Sequence, residues 1–265
     1  MSLFQHLART LRPTPFSAMS TFRVARSARS PKLDSNFFGS GTRLGLPRRT
    51  YYTNHTSNFS SNMRLIYSFI GLNAGVFAYA TYLQEQARQG HQLPFTKFIQ
   101  NMSLSPIGVI REHRYWTTIT SVFSHLGLMH VAGNMLSFYF MGQMLAVTPG
   151  FTPGKIAVLV LGSGLAGSVG WLFTAMKNQN YQGRALGFSG SVMGVGTVAA
   201  FLYPRTQFMI YGIIPMPLWL LMAGYAVFDG YYLNDRSSRV GHAGHLGGLA
   251  FGIVYYFARV RGLRI

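Results

Sequence analysis

The spacing of charged residues constrains this chain most, because it leaves six long stretches without any charge. Of 265 residues, 49% are hydrophobic and 11% are charged, against about 25% in soluble domains. The uncharged stretches are 65–84, 115–154, 156–176, 185–204, 206–228 and 240–258. Because about 20 apolar residues cross a bilayer as a helix, each stretch can hold one crossing. The sequence therefore predicts an all-α, polytopic membrane protein with six transmembrane helices.

Prolines and polar turns predict where these helices begin and end. The predicted helices are 65–84, 128–147, 155–176, 189–203, 215–231 and 243–258. Pro204 ends the fourth helix, and Pro215 and Pro217 fit the first turn of the fifth, where proline is best tolerated. The connection 85–126 is predicted to be a partly helical loop at the membrane interface.

The first 60 residues differ in composition from the rest and predict a targeting segment. Six of the 23 lysines and arginines precede Asp34, the first acidic residue, in a stretch rich in Ser and Thr. Residues 1–60 also lack the apolar run of a secretory signal, which leaves a mitochondrial or plastid transit peptide, or a disordered cytosolic basic tail. We therefore expect a transit or disordered segment at 1–60 and a membrane domain at 61–265. The net charge of +18 is then explained without a nucleic-acid partner.

Polar side chains inside the predicted helices are the candidate functional residues, because burying them in lipid is costly. His130 and Asn134 are four residues apart and therefore project from the same helix face. Two neutral donors on one face can hydrogen-bond a developing oxyanion. Ordinary interhelical hydrogen bonding is the alternative for this pair.

A serine and a histidine stand beside two glycine faces, in GFSGS (187–191) and GHAGHLGGLAFG (241–252). The glycines are Gly190 and Gly194 on one helix, and Gly244, Gly248 and Gly252 on the other. If these faces pack, His245 comes within hydrogen-bond reach of Ser189 and can act as its general base. The Ser189 amide would then be a further oxyanion donor, whereas a serine bonded to its own backbone is the alternative.

The same residues exclude several other chemistries. The chain has no cysteine, and therefore no thiolate nucleophile, disulfide or thiolate metal site. Asp229 is the only acidic residue within the predicted helices, near the end of the fifth, so we predict a Ser–His dyad whose imidazole is oriented by helix packing. His242 is predicted to lie at the rim, nearer to water. A metal site could draw on His125, His130, His242 and His245, but no H-E-x-x-H motif and no neighbouring carboxylate support one, so no metal or cofactor is expected.

Taken together, H-x-x-x-N at 130–134, G-x-S-G at 187–190 and G-H-x-x-G at 244–248 resemble the rhomboid family of intramembrane serine proteases. The segment 114–134 is also similar, with His125 five residues before His130. The resemblance implies a six-helix rhomboid-like bundle in which Ser189 is the nucleophile and His245 the base. It further implies that His130 and Asn134, with the Ser189 amide, bind the oxyanion. The implied reaction cleaves peptide bonds in or near transmembrane segments of membrane-protein substrates, without metal or ATP.

The transit-like segment and the resemblance together predict a mitochondrial inner-membrane protein. Many mitochondrial rhomboids carry an extra helix before the six-helix core, and residues 1–63 contain no candidate for it. One alternative is a catalytically inactive rhomboid-like protein that binds membrane helices, which the presence of both Ser189 and His245 argues against. The other is a six-helix channel or transporter, disfavoured by the lack of intramembrane carboxylates and of an internal repeat.

Overall fold

The computed structural model describes residues 53–210, 213–235, 238 and 240–261. The helices are α1 (Thr53–Arg88), α2 (Gln92–Met102), α3 (Pro106–Ile110), α4 (Thr117–Thr120), α5 (Leu128–Val147), α6 (Pro153–Lys177), α7 (Ser189–Leu202), α8 (Leu218–Tyr231) and α9 (His242–Tyr255). A π-helical turn, Tyr256–Val260, continues α9. Residues 1–52, which make up most of the predicted targeting segment, lie outside the described residues.

Most of the predicted helix boundaries agree with the structure to within a few residues, and those of α5 agree at both ends. The first helix is the exception, because α1 begins at Thr53 instead of residue 65. The prediction started at residue 65 because the charged Arg64 precedes the uncharged stretch, but a single arginine does not interrupt a helix. No proline or glycine occurs between residues 53 and 70, so the backbone continues as a helix through this polar stretch.

The prediction of an all-α fold is wrong in one segment. Strands β1 (Gln207–Ile210) and β2 (Ile214–Pro217) form an antiparallel hairpin in which Gln207 pairs with Pro217. Pro215 and Pro217 therefore lie in a strand, and the fifth long helix begins at Leu218 instead of residue 215. A two-stranded sheet has a free edge along each strand, where the missing N–H of proline breaks no ladder hydrogen bond.

The helix α7 lies at the centre of the bundle. It packs against α5, α6, α8 and α9, and every residue from Gly190 to Ala200 is buried. Its first turn also adjoins an aromatic cluster, in which the Phe188 ring lies 5.0 Å from that of Phe138 and 5.9 Å from that of Phe123. The residue that the sequence marks as a nucleophile thus begins the most enclosed helix of the described structure.

The two glycine faces meet, as the sequence predicts. A Cβ atom on Gly248 would overlap the backbone oxygen of Gly190, and one on Gly252 would lie 2.6 Å from the oxygen of Gly194. The third helix of this contact is α6, where a Cβ on Gly167 would lie 2.7 Å from the Gly244 oxygen. The helices α6, α7 and α9 therefore pack backbone against backbone, which side chains larger than hydrogen would prevent.

These contacts also fix the depth at which α7 begins. A Cβ on Gly190 would lie 3.5 Å from the Gly167 Cα atom, and Ser191 Oγ donates to the Val160 oxygen, so α6 and α7 run antiparallel. Gly167 precedes Lys177, the last residue of α6, by ten positions. At about 1.5 Å per residue, the first turn of α7 lies about 15 Å along α6 from that end. Ser189 is consequently placed inside the bundle.

Two of the described helical segments are long and apolar enough to cross a membrane by length and composition. They are 58–88 within α1, and α6. The central helix α7 is apolar but has only 14 residues.

The close packing of α7 on α9 predicts the effect of adding one methyl group. Gly248→Ala should lower the free energy of unfolding by about 1–3 kcal/mol, because its Cβ would overlap backbone atoms of α7 that cannot rotate away. The matched control is Gly224→Ala on α8, where nothing lies within 4 Å of the added Cβ and alanine should stabilise the helix by about 0.5–1 kcal/mol. Thermal unfolding of the purified protein in detergent measures both, and equal midpoints would contradict the backbone contact.

Candidate active site

The turn before α7 presents Ser189 at a helix N-terminus. Gly187 has a φ of +135°, which glycine adopts without strain, and its N–H donates to the Ser121 oxygen at 2.9 Å. The first hydrogen bond of the helix runs from the Val192 N–H to the Phe188 oxygen. The N–H groups of the first turn, that of Ser189 included, therefore have no intrahelical acceptor and can donate to an anion. Ser189 itself is half-buried.

One side of this turn is formed by α5. The His130 ring packs on Gly187, where an added Cβ would lie 2.8 Å from Cε1 and 3.1 Å from Nε2. Asn134 is buried one helical turn further, and its Nδ2 donates to the His130 oxygen at 3.0 Å and lies 3.2 Å from His125 Nε2. The predicted oxyanion residues therefore adjoin the turn that carries Ser189. The amide of Asn134 would have to exchange one of these contacts to bind a substrate oxygen.

His125 joins α5 to the same turn. Its Nε2 accepts the Phe188 N–H at 3.2 Å, and its side chain is completely buried. Burial, with a smaller contribution from the charge of His130, lowers the pKa of His125 to about 4, so the ring is neutral at physiological pH and can accept this hydrogen bond. The sequence predicts His125 only as a possible metal ligand and as part of the rhomboid-like segment, because nothing in its spacing reveals a bond to the backbone 63 residues away.

The other side of the turn is formed by α8 and α9. His245 Nδ1 lies 3.1 Å from each carboxylate oxygen of Asp229, whose side chain is 1% exposed. The carboxylate holds the proton on Nδ1 and leaves Nε2 as the basic nitrogen. The prediction that helix packing alone orients the imidazole is therefore wrong. Asp229 lies in the last turn of α8 and His245 in the first turn of α9, so the two residues meet where consecutive helices are joined.

Ser189 and His245 are brought together through their neighbours along the chain. A Cβ on Gly190 would lie 3.4 Å from the Gly244 oxygen, so the backbones next to Ser189 and His245 are in contact. In the described structure, no hydrogen bond joins Ser189 Oγ to His245 Nε2. Catalytic hydrogen bonds are often long without substrate and tighten when it binds.

The second serine of GFSGS has a different environment. Ser191 is completely buried, and its hydroxyl donates to the Val160 oxygen of α6 at 2.8 Å. This bond holds α7 to α6, and Ser191 therefore has a packing role.

His242 is buried, at 4% exposure, so the prediction of a rim position nearer to water is wrong. Its Nδ1 lies 2.7 Å from Asp229 Oδ1 and its Nε2 lies 2.8 Å from Ser238 Oγ. The expectation that no carboxylate adjoins the histidines is also wrong, since Asp229 contacts two of them. Among the described residues, no group of three or more His, Asp or Glu side chains is arranged to hold a metal ion.

Comparisons with known proteins point to one family. The family model described as Rhomboid domain matches residues 112–262, more than half of the chain. RHOMBOID-like protein 12, mitochondrial, of Arabidopsis thaliana is 28% identical over 76% of this chain and 60% of its own length. Rhomboid protein 1, mitochondrial, of Saccharomyces cerevisiae is 26% identical over 79% of this chain and 56% of its own length. Rhomboid protease GluP of Bacillus subtilis is 26% identical over 58% of this chain and 28% of its own length. The chain thus spans less than two thirds of the length of these relatives.

The contact between Gly187 and His130 predicts a stability difference between two glycines of positive φ. Gly187→Ala and Gly90→Ala should each lower the free energy of unfolding by about 1–3 kcal/mol, because alanine is strained at a positive φ. Gly187→Ala should lower the free energy of unfolding further than Gly90→Ala does, because its Cβ would contact the His130 ring. At Gly90, nothing lies within 4 Å of an added Cβ. Thermal unfolding should show that His130→Ala recovers this excess. Equal costs at the two glycines would contradict the packing of His130 on the turn.

Proposed function

Because the chain belongs to the rhomboid family, we propose that it is an intramembrane serine endopeptidase that cleaves transmembrane segments of membrane-protein substrates. Ser189 is the nucleophile and His245 is the general base. The observation that carries the proposal is the contact between the Asp229 carboxylate and His245 Nδ1. The glycine faces of α7 and α9 pack together at this level of the bundle, which places His245 beside the start of α7.

The reaction follows from the groups around the turn. His245 Nε2 takes the Ser189 hydroxyl proton as Oγ bonds to the scissile carbonyl carbon. The protonated imidazole then gives that proton to the leaving amine as the peptide C–N bond breaks. Water, activated in turn by His245, releases the acyl group and restores Ser189. Asp229 stabilises the imidazolium that forms in each half of the reaction, so the proposed site is a triad in place of the predicted dyad.

The oxyanion is bound by neutral donors in this proposal. Among the described residues, the Ser189 N–H at the start of α7 has no backbone acceptor, and the His130 ring lies on Gly187, two residues earlier. Asn134 supplies a third donor when its amide turns from His125 or from the His130 oxygen towards the substrate. Preorganised donors of this kind stabilise the tetrahedral intermediate without a metal or cofactor.

The proposed membrane arrangement has six crossings, made by α1, α5, α6, α7, α8 and α9. A 14-residue helix extends only about 21 Å, short of the roughly 30 Å hydrocarbon core, so α7 begins within the thickness of the membrane. In the described structure α7 packs on both α5 and α8, while α5 and α8 do not pack along each other. We propose that the transmembrane segment of a substrate reaches Ser189 from the lipid between these two helices.

The relatives named as mitochondrial confirm the predicted location in a mitochondrial membrane, and the inner membrane is consistent with them. The transit-peptide role of residues 1–60 remains a proposal, based on their basic, Ser- and Thr-rich composition.

Substituting the proposed nucleophile provides the direct test of this function. Ser189→Ala should reduce cleavage of a reporter transmembrane protein in proteoliposomes to the level without enzyme, because it removes the proposed nucleophile, whereas the hydroxyl of Ser191 is bonded to the Val160 oxygen. Ser191→Ala is the matched control two residues along α7. It should lose about 1 kcal/mol of stability with its bond to Val160, and it should still cleave. Cleavage products are separated by gel electrophoresis.

The same assay distinguishes the proposed protease from the inactive helix-binding alternative. A protein that binds the reporter segment but leaves it intact, with no labelling of Ser189 by a fluorophosphonate, would contradict the protease and favour that alternative.

The carboxylate on His245 predicts a graded loss of activity. Asp229→Asn should lower kcat by about 10²–10⁴-fold, because the amide cannot stabilise the imidazolium and can hold the wrong tautomer. KM should change little, since Asp229 is buried and does not contact substrate. Initial rates against reporter concentration separate the two constants. The control is Asn73→Asp on α1, a buried position whose amide bonds, among the described residues, only the Phe69 oxygen of its own helix. A similar loss there would contradict a specific role for Asp229.

A further inference from the structure

A continuous set of hydrogen bonds leads from the base to the segment between α8 and α9. His245 Nδ1 contacts both oxygens of Asp229 at 3.1 Å, and His242 Nδ1 contacts Oδ1 at 2.7 Å. His242 Nε2 lies 2.8 Å from Ser238 Oγ, and Ser238 Oγ accepts the Val240 N–H at 3.1 Å. His242 and His245 thus share the buried carboxylate of Asp229, and Ser238 joins this set through His242.

The direction of each bond is fixed by chemistry. A carboxylate only accepts, so both His242 and His245 donate to Asp229 from Nδ1. The Nε2 atom of neutral His242 is then an acceptor, and the Ser238 hydroxyl donates to it. The Val240 N–H donates to the same hydroxyl oxygen. Each donor in this set therefore has an acceptor, and both ring nitrogens of His242 are bonded within the set.

Both His242 and His245 stabilise the buried carboxylate of Asp229. Asp229 is 1% exposed, and a buried charge is stable only when its oxygens are hydrogen-bonded. Among the described residues, its ion-pair contacts are His242 and His245. The shorter bond is that of His242, and the two longer bonds of His245 are shared between both oxygens. Without His242, Oδ1 has a lone pair to satisfy, and the carboxylate can rotate towards another donor.

Packing holds the His242 ring in place. The ring of Tyr232 stacks on it at 5.8 Å with an interplanar angle of 26°, and the ring of Phe228 meets it edge-on at 5.6 Å. His242 is also the first residue of α9, and Phe228 precedes Asp229 in α8. The aromatic contacts therefore join the end of α8 to the start of α9 at the level of the carboxylate.

We propose that His242 is a positioning residue that fixes the Asp229 carboxylate against His245 and links it, through Ser238, to the chain between α8 and α9. The inference rests on the proposed protease function, because it gives His242 a role in the action of His245. His242 acts only through Asp229.

The test compares three variants of the full chain in proteoliposomes, with kcat expressed per site that a fluorophosphonate can label. His242→Ala should lower kcat by about 10- to 100-fold and leave KM within about twofold. His242→Asn should recover most of this loss, because its amide N–H can take the place of Nδ1–H on Asp229. Ser238→Ala, which removes only the outer bond, should lower kcat by about threefold. An unchanged kcat in His242→Ala, or no recovery in His242→Asn, would overturn the proposal.

A second measurement does not depend on cleavage. In the protein with isotope-labelled histidine, nuclear magnetic resonance should show His245 protonated at Nδ1, both in the unsubstituted chain and in His242→Asn. In His242→Ala this proton should exchange with water or move to Nε2, and an unaltered His245 signal would overturn the proposal. If the unsubstituted chain fails to cleave any reporter, the protease function fails, and the resonance of His245 still decides the role of His242.

Discussion

The close approach of three helix backbones is the constraint on which the rest of this structure depends. The helices α6, α7 and α9 touch through Gly167, Gly190 and Gly248, with no side chain between them. In a membrane, helix association gains little from hydrophobic burial, and close van der Waals contact between small residues takes its place. This contact brings the start of α9 level with the start of α7. It therefore sets the position of His245 relative to Ser189 before any polar interaction is made.

Buried polar groups then fix the orientation of the segments that the glycine contacts bring together. His125 ties the turn before α7 to α5 through the Phe188 N–H, and Asp229 ties the start of α9 to the end of α8. His125 and Asp229 are both buried, and each is bonded to the segment that it orients. In the proposed mechanism these two residues hold the two sides of the turn, and Ser189 and His245 carry out the reaction.

The sequence predicted this arrangement where the pattern is local and periodic. The four-residue spacing of Gly244, Gly248 and Gly252 identifies one helix face that can pack closely on another helix. The ends of α5 follow from the polar residues that bound it. Prediction was wrong where two local patterns compete. Pro215 and Pro217 suit both the first turn of a helix and the free edge of a hairpin, and only the pairing with β1 decides between them. It also failed for contacts between distant residues, since the bond of His245 to Asp229 depends on how two helices end beside each other.

The shared carboxylate also determines how α8 can move. Asp229 stands in the last turn of α8, where its charge opposes the dipole of its own helix, and beside His242 at the start of α9, where it is favoured. Moving that end of α8 into lipid would separate the buried carboxylate from its hydrogen-bond partners, which is energetically unfavourable. The opposite end is held differently, because Leu218 is buried and the N–H groups of Leu218 and Trp219 donate to the oxygens of Thr206 and Pro204. An outward movement of α8 that leaves Asp229 in place must therefore break these backbone bonds at the hairpin end, while the contact between Asp229 and His245 stays unchanged.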